Sequence, residues 1–268
     1  MMNRRKDFSR LGLGLIVLSL AVVVGGVPAY GQGLITDRPD FTESGVVVPL
    51  GSVQIEAGAT VETESSDGSP DVTSLTLGEA LIRWGFAPRF EARVELPDHN
   101  RISFEDDGSG ASPITGTDDL GVGFKYQFGP LGDAGDIDLG FIGKVSIPTG
   151  SEEFKSDEVE PEVILAASKD LGDGVGIASQ LSAGLPSSDG GRSFEWGATI
   201  VSSASFGPVG VFAEFRIDIP EEGTAPTMMH AGLLYPVSDK LQFDVHGGFG
   251  LSSTAPDTFF GAGFSVGV

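Results

Sequence analysis

The sequence predicts an all-β fold, a transmembrane antiparallel up-and-down β-barrel of about twelve strands. Three observations carry this. Beyond the N-terminal region, apolar and polar side chains alternate with a period of two in segment after segment, the pattern of strands with two unlike faces. Short turns alternate with longer, more acidic connections, as they do in barrels that cross a membrane. Trp84, Phe86, Phe90, Tyr126, Phe128, Phe206, Tyr235 and Phe243 fall at strand ends beside the short turns, where a membrane interface would hold them.

The clearest alternation spans residues 79–96. Ala80, Ile82, Trp84 and Phe86 precede an Ala-Pro-Arg turn, and Phe90, Ala92, Val94 and Leu96 follow it, with Glu79, Arg83, Glu91, Arg93 and Glu95 between them. For the two apolar faces to coincide, Phe86 should pair with Phe90 across a three-residue loop. Arg83 then faces Arg93, and the neighbouring Glu91 and Glu95 should offset that pair. Such a hairpin suits a soluble sandwich or a membrane barrel. The parity of the connections selects the barrel, because a sandwich with Greek-key crossings has no reason to keep it.

At the N-terminus, Arg4, Arg5, Lys6 and Arg10 precede an apolar run from Leu11 to Val24, followed by Ala29-Tyr30-Gly31. The run is shorter than the ~20 residues that a spanning helix needs. Residues 1–31 therefore read as a signal peptide cleaved near Gly31, which makes the protein an exported one. Its removal takes the net charge from −22 to −25, since it carries four basic residues and Asp7. Nucleic acid is excluded as a partner, because phosphate binding needs a basic face. With no cysteine, disulfides and thiolate chemistry are excluded as well.

Residues 32–51 have neither helical nor strand periodicity. They read either as a polar lead-in or as a plug entering the lumen through Asp37, Arg38 and Asp40. As a plug, Arg38 would be the anchor in an acidic wall, and its loss should matter more than the loss of Asp37. Residues 52–268 form the barrel. Alternation is strong at 53–61, 119–128, 137–147, 209–219, 241–249 and 260–268, and weaker near 161–169, 175–185, 193–206 and 227–235. The short connections are Ala87-Pro88, Gly129 to Asp136, Asp170 to Gly174, Gly207-Pro208 and Pro236 to Lys240. The longer ones are 64–72, 98–116, 148–160, 186–192, 220–226 and 252–257. On the polar faces, Glu79, Arg83, Glu91, Arg93, Glu95, Lys125, Lys144, Glu214, Arg216, Asp218, Asp244 and His246 are the expected pore lining. Gly121, Gly123, Gly261 and Gly263 should leave room inside.

Thr36-Asp-Arg-Pro-Asp-Phe-Thr-Glu-Ser44, Gly78-Glu-Ala-Leu-Ile-Arg-Trp-Gly85, Ile147-Pro-Thr-Gly150 and Ala255-Pro-Asp-Thr-Phe-Phe-Gly-Ala-Gly-Phe264 resemble the transporter family named for the meta-pathway of phenol degradation. The resemblance spans essentially the whole chain after the signal. It implies an outer-membrane barrel with an uptake role. One departure is the C-terminal Val268, where outer-membrane barrels usually end in an aromatic residue.

Catalytic and metal patterns do not survive the same scrutiny. His99, His230 and His246 lack metal-ligand spacing, although His230 and His246 share the polar face. Gly263-Phe-Ser-Val-Gly267 matches a nucleophile pattern but sits in an alternating strand rather than a strand-to-helix turn. Asp71, Asp106, Asp107, Glu152 and Glu153 lack the spacing of a calcium loop. Neither an enzyme nor a cofactor is indicated. Two readings remain: a channel for small solutes, aromatic or other hydrophobic compounds among them, or a closed structural or adhesive barrel. Outer-membrane lipid, lipopolysaccharide, the barrel-assembly machinery and a small solute are the expected partners. The acidic polar faces favour cations in any open state.

Overall fold

The computed structural model describes residues 34–65, 70–105, 112–131, 137–188 and 191–268. The expected signal segment with its cleavage site, together with Asp106 and Asp107, lies outside them. Twelve strands form the wall: β1 (Val53–Glu64), β2 (Val72–Ala87), β3 (Phe90–Glu95, resumed as His99–Phe104), β4 (Ile114–Thr117, resumed as Leu120–Leu131), β5 (Ile137–Ile147) and β6 (Glu160–Gly172), followed by β7 (Val175–Gly184), β8 (Glu195–Phe206), β9 (Val209–Pro220), β10 (Thr227–Ser238), β11 (Leu241–Gly250) and β12 (Thr258–Gly267). Each strand is antiparallel to the next, and β12 pairs back onto β1 with Ala59 opposite Ala262. Closure removes the sheet edges that an open sandwich would leave.

The tight turns follow from their residues. Asp173 (φ 54°) and Gly174 (φ 73°) both take positive φ, the pattern of a primed turn that matches strand twist. Gly207 (φ 60°) followed by Pro208 supplies the other primed form. The first hairpin departs from the sequence expectation. Its loop is Pro88-Arg89, with Ala87 rather than Phe86 opposite Phe90. Pro88 cannot take positive φ while Arg89 does (φ 67°), so this turn is unprimed and splays the strands. An irregularity between Trp84 and Ala87 absorbs the mismatch and restores both the face and the Arg83–Arg93 pairing.

The connection expected over 98–116 is also partly strand. His99–Phe104 pairs with β2 and with Ile114–Thr117, which heightens the wall on that side. Within 186–192, Ser187-Ser188 pairs with Gly191-Arg192. At the short-turn end the strands run further than their alternation suggests, β6 to Gly172 and β10 to Ser238.

The outer face is apolar. Trp84, Phe86, Phe90 and Phe128 are exposed, and with Tyr126 they form a run of rings whose neighbouring centroids lie 4.7–6.0 Å apart. Trp196, Phe249 and Phe260 are exposed towards the other end. The inner face is where charge is buried: Arg83, Glu91, Glu56 and Lys125 are all fully inaccessible. That inversion of a soluble core is the expected consequence of lipid outside and polar groups within.

Candidate functional site

Residues 34–49 lie inside the barrel, entering and leaving at the short-turn end. Ile35 exchanges hydrogen bonds with the Gln54 side chain on β1, and Gly51 donates to the Gly85 carbonyl beside the first turn. Between those points the segment touches most of the wall. Phe41 N–H donates to Glu214 (2.9 Å), Thr42 bonds Thr199 (2.5 Å), Glu43 N–H donates to Gln180 (2.8 Å), and Val48 N–H donates to Glu91 (2.9 Å).

Asp37 is the hub of its charges. Its carboxylate meets Arg83 at 3.1 Å, Arg93 at 2.7 Å and Lys125 at 2.9 Å. Arg83 also holds Glu56 and Glu91, and Arg93 holds Glu91 and Glu43. Glu91 therefore bridges the facing arginines. Glu95 does not, because it pairs with Lys144 (3.2 Å), which also meets Glu162 (3.2 Å). A buried charge network of this kind is tolerable only when every member has partners, since an orphaned ion costs several kcal/mol.

Arg38 makes a separate contact, with Glu79 at 2.7 Å and Asp244 at 3.2 Å. Glu79 reaches it because an irregularity at Gly78 (φ 119°) and Glu79 (φ 41°) re-aims the side chain. Gly58 and Gly263 stand opposite each other, and a β-carbon at either would collide with the Arg38 guanidinium. The inward glycines were expected to leave open room; here side chains fill it, with Glu95 over Gly121, Lys144 over Gly123 and His246 over Gly261. Asp40 forms no ion pair among the described residues.

On β9 to β11, Glu214, His230 and His246 form a line, with 2.9 Å at each step. Arg216 pairs with Asp218 (2.8 Å) and lies 4.5 Å above the Phe41 ring. Among the described residues no group of three His, Cys, Asp or Glu could hold a metal. Ser265 sits mid-strand opposite Glu56, buried. Sequence reasoning missed Glu43, Phe41, Thr42 and Gln180 as contacts. The first three belong to the Thr36–Ser44 motif, which was the available signal.

Above the segment, towards the longer loops, lies a cavity of about 610 Å³. Its lining carries eleven carboxylates (Asp37, Glu43, Glu56, Glu79, Glu95, Asp98, Asp118, Asp119, Glu160, Glu162 and Glu195) against four bases (Arg38, Arg93, Lys144 and Arg216). All four bases are already ion-paired. At the rim, burial, the charge of Asp118 and that of Glu79 push the Asp98 carboxyl up to about 6.

A closed barrel, greasy outside and charged within, defines the class: this is a β-barrel of the outer-membrane kind. Residues 36–267 match the family described as "Putative MetA-pathway of phenol degradation", and the chain belongs to that family. Among solved structures, an outer-membrane channel from Pseudomonas putida F1 superposes with a TM-score of 0.65 at 17% identity, covering 87% of this chain and 100% of that one. The β domain of the Bordetella autotransporter BrkA gives 0.54 at 13% identity, covering 82% and 100%. NanC porin gives 0.51 at 8%, covering 80% and 98%. No curated protein matches the chain.

Proposed function

We propose that the protein is an outer-membrane channel for small polar solutes with a preference for cations, held closed at its short-turn end by residues 34–49. The observation that supports this reading is the cavity above that segment, whose surplus carboxylates have no basic partners left. Low-dielectric walls focus such a field, enriching cations and repelling anions. The family's description points to aromatic compounds. A lining this rich in charge suits an aromatic solute only if it also carries a positive group. Residues 1–31 would direct export, and lipid, lipopolysaccharide and the assembly machinery would be the partners of the folded or folding barrel.

The test is the reversal potential of the chain lacking residues 32–50, in a planar bilayer under a low-salt gradient. Cation preference is expected, fading near 1 M salt where the Debye length falls to ~3 Å. Anion preference at low salt would overturn the reading. A second reading, a closed structural barrel, draws on the packing of Phe41 against Met228, Ala255 and Phe259. It expects no conductance under any condition that frees the segment.

A further inference from the structure

One connection reaches over the mouth of the cavity. Residues 148–156, between β5 and β6, start with the Pro148-Thr149-Gly150 sequence and fold inward, so that Phe154 and Ser156 join the cavity lining. Asp119 fastens both ends of this strap. One carboxylate oxygen accepts the N–H groups of Thr149 and Gly150 (2.9 Å each), and the other accepts that of Ser156 (2.8 Å). Thr149 Oγ1 in turn accepts the N–H of Leu120 (2.9 Å). Ser151 and Thr117 bond in both directions, Ser151 N–H to the Thr117 carbonyl (2.8 Å) and Thr117 N–H to Ser151 Oγ (3.0 Å).

Two glycines permit the close approach. A β-carbon at Gly150 would strike the carbonyls of Thr117 and Asp118, and one at Gly116 would strike Ser151 and the Phe154 ring. Burial alone would raise the Asp119 carboxyl, but the N–H groups of Ser156, Gly150 and Thr149 outweigh it and hold the carboxyl below its usual range. The fastening therefore persists across ordinary pH.

We propose that this strap sets the size of solute admitted to the cavity, with Phe154 as the specificity-determining side chain and Asp119 as the residue that positions it. The inference rests on the cavity being a solute entrance. Because the chain has no cysteine, a single Ser182→Cys substitution on the cavity lining gives a clean reporter. It would be labelled in lipid vesicles with two methanethiosulfonates of equal positive charge, one a small ammonium and one a bulky quaternary ammonium. The small reagent should react many-fold faster than the bulky one. Phe154→Ala should cut that ratio several-fold by accelerating the bulky reagent alone, and Asp119→Ala should do the same by freeing the strap. Asp119→Ala alters more of the fold, so Phe154→Ala decides. An unchanged ratio in Phe154→Ala, or equal acceleration of both reagents, would overturn the proposal. Labelling needs no ion flow, so a barrel that discriminates by size yet shows no conductance even without residues 32–50 would contradict the channel reading and leave the strap standing.

Discussion

The two sides of the lumen hold the same N-terminal segment by different physics. Towards β9–β12 the segment is seated mainly by an apolar and aromatic cluster, beside the Arg38–Asp244 pair. The Phe41 ring lies 4.7 Å from His230 and 5.9 Å from Phe259, and Met228 and Ala255 complete the cluster. Towards β2–β4 the contact is ionic, centred on Asp37 and three buried cations. Apolar contact degrades gradually as atoms are removed. A buried ion network is more sensitive, because removing one member leaves every charge it served under-compensated. The apolar side is thus a seat, and the ionic side a latch that a single change can release.

Asp37→Ala should have the largest effect. It leaves Arg83, Arg93 and Lys125 without their shared carboxylate, at a cost of about 3–5 kcal/mol in urea unfolding from lipid vesicles. Phe259→Ala should cost about 3 kcal/mol, and by the same measurement its cost should not depend on salt. If Asp37→Ala proved the milder of the two, the latch would be misplaced. Arg38→Ala should cost less again, about 2 kcal/mol, since Arg38 pairs with Glu79 and Asp244 outside the central network. This reverses the ranking that the sequence suggests. A larger loss for Arg38→Ala than for Asp37→Ala, in stability or in closed-state conductance, would restore the original order.

The smallest effect concerns pH. Asp98, raised to about 6, should take up a proton between pH 7 and 5 and remove one negative charge from the rim. Cation preference should fall over that interval, and Asp98→Asn should reduce the change. Because its folded value lies above its unfolded one, this carboxyl binds its proton more tightly when folded. Its contribution to stability should therefore rise as pH falls through 6, opposite in sign to a salt-bridged carboxylate. A pH titration of reversal potential that is identical in the Asp98→Asn variant would remove Asp98 from the field at the mouth.

The wall was legible in the sequence because its information is local. Period-two alternation is written within each strand, and turn parity is written between neighbours. The interior was not, because its contacts join residues far apart: Arg38 meets Asp244, 206 positions on, and Thr42 meets Thr199, 157 positions on. Alternation identified Arg83, Arg93 and Lys125 as one face but could not say that they converge on Asp37. The irregularities at Gly78-Glu79 and before Ala87 are likewise invisible to a strict period. The 98–116 segment reads as a loop because Asp98 at its start and Asp118-Asp119 just beyond its end interrupt the strands, and those interruptions bring carboxylates to the rim.

The most direct test of the account is the single-channel conductance of the protein lacking residues 32–50, compared with the full chain in the same planar bilayer. Both should fold, as judged by urea unfolding in vesicles. A larger, cation-selective conductance is expected when the segment is gone. Equal conductance in the two forms, with both folded, would contradict it.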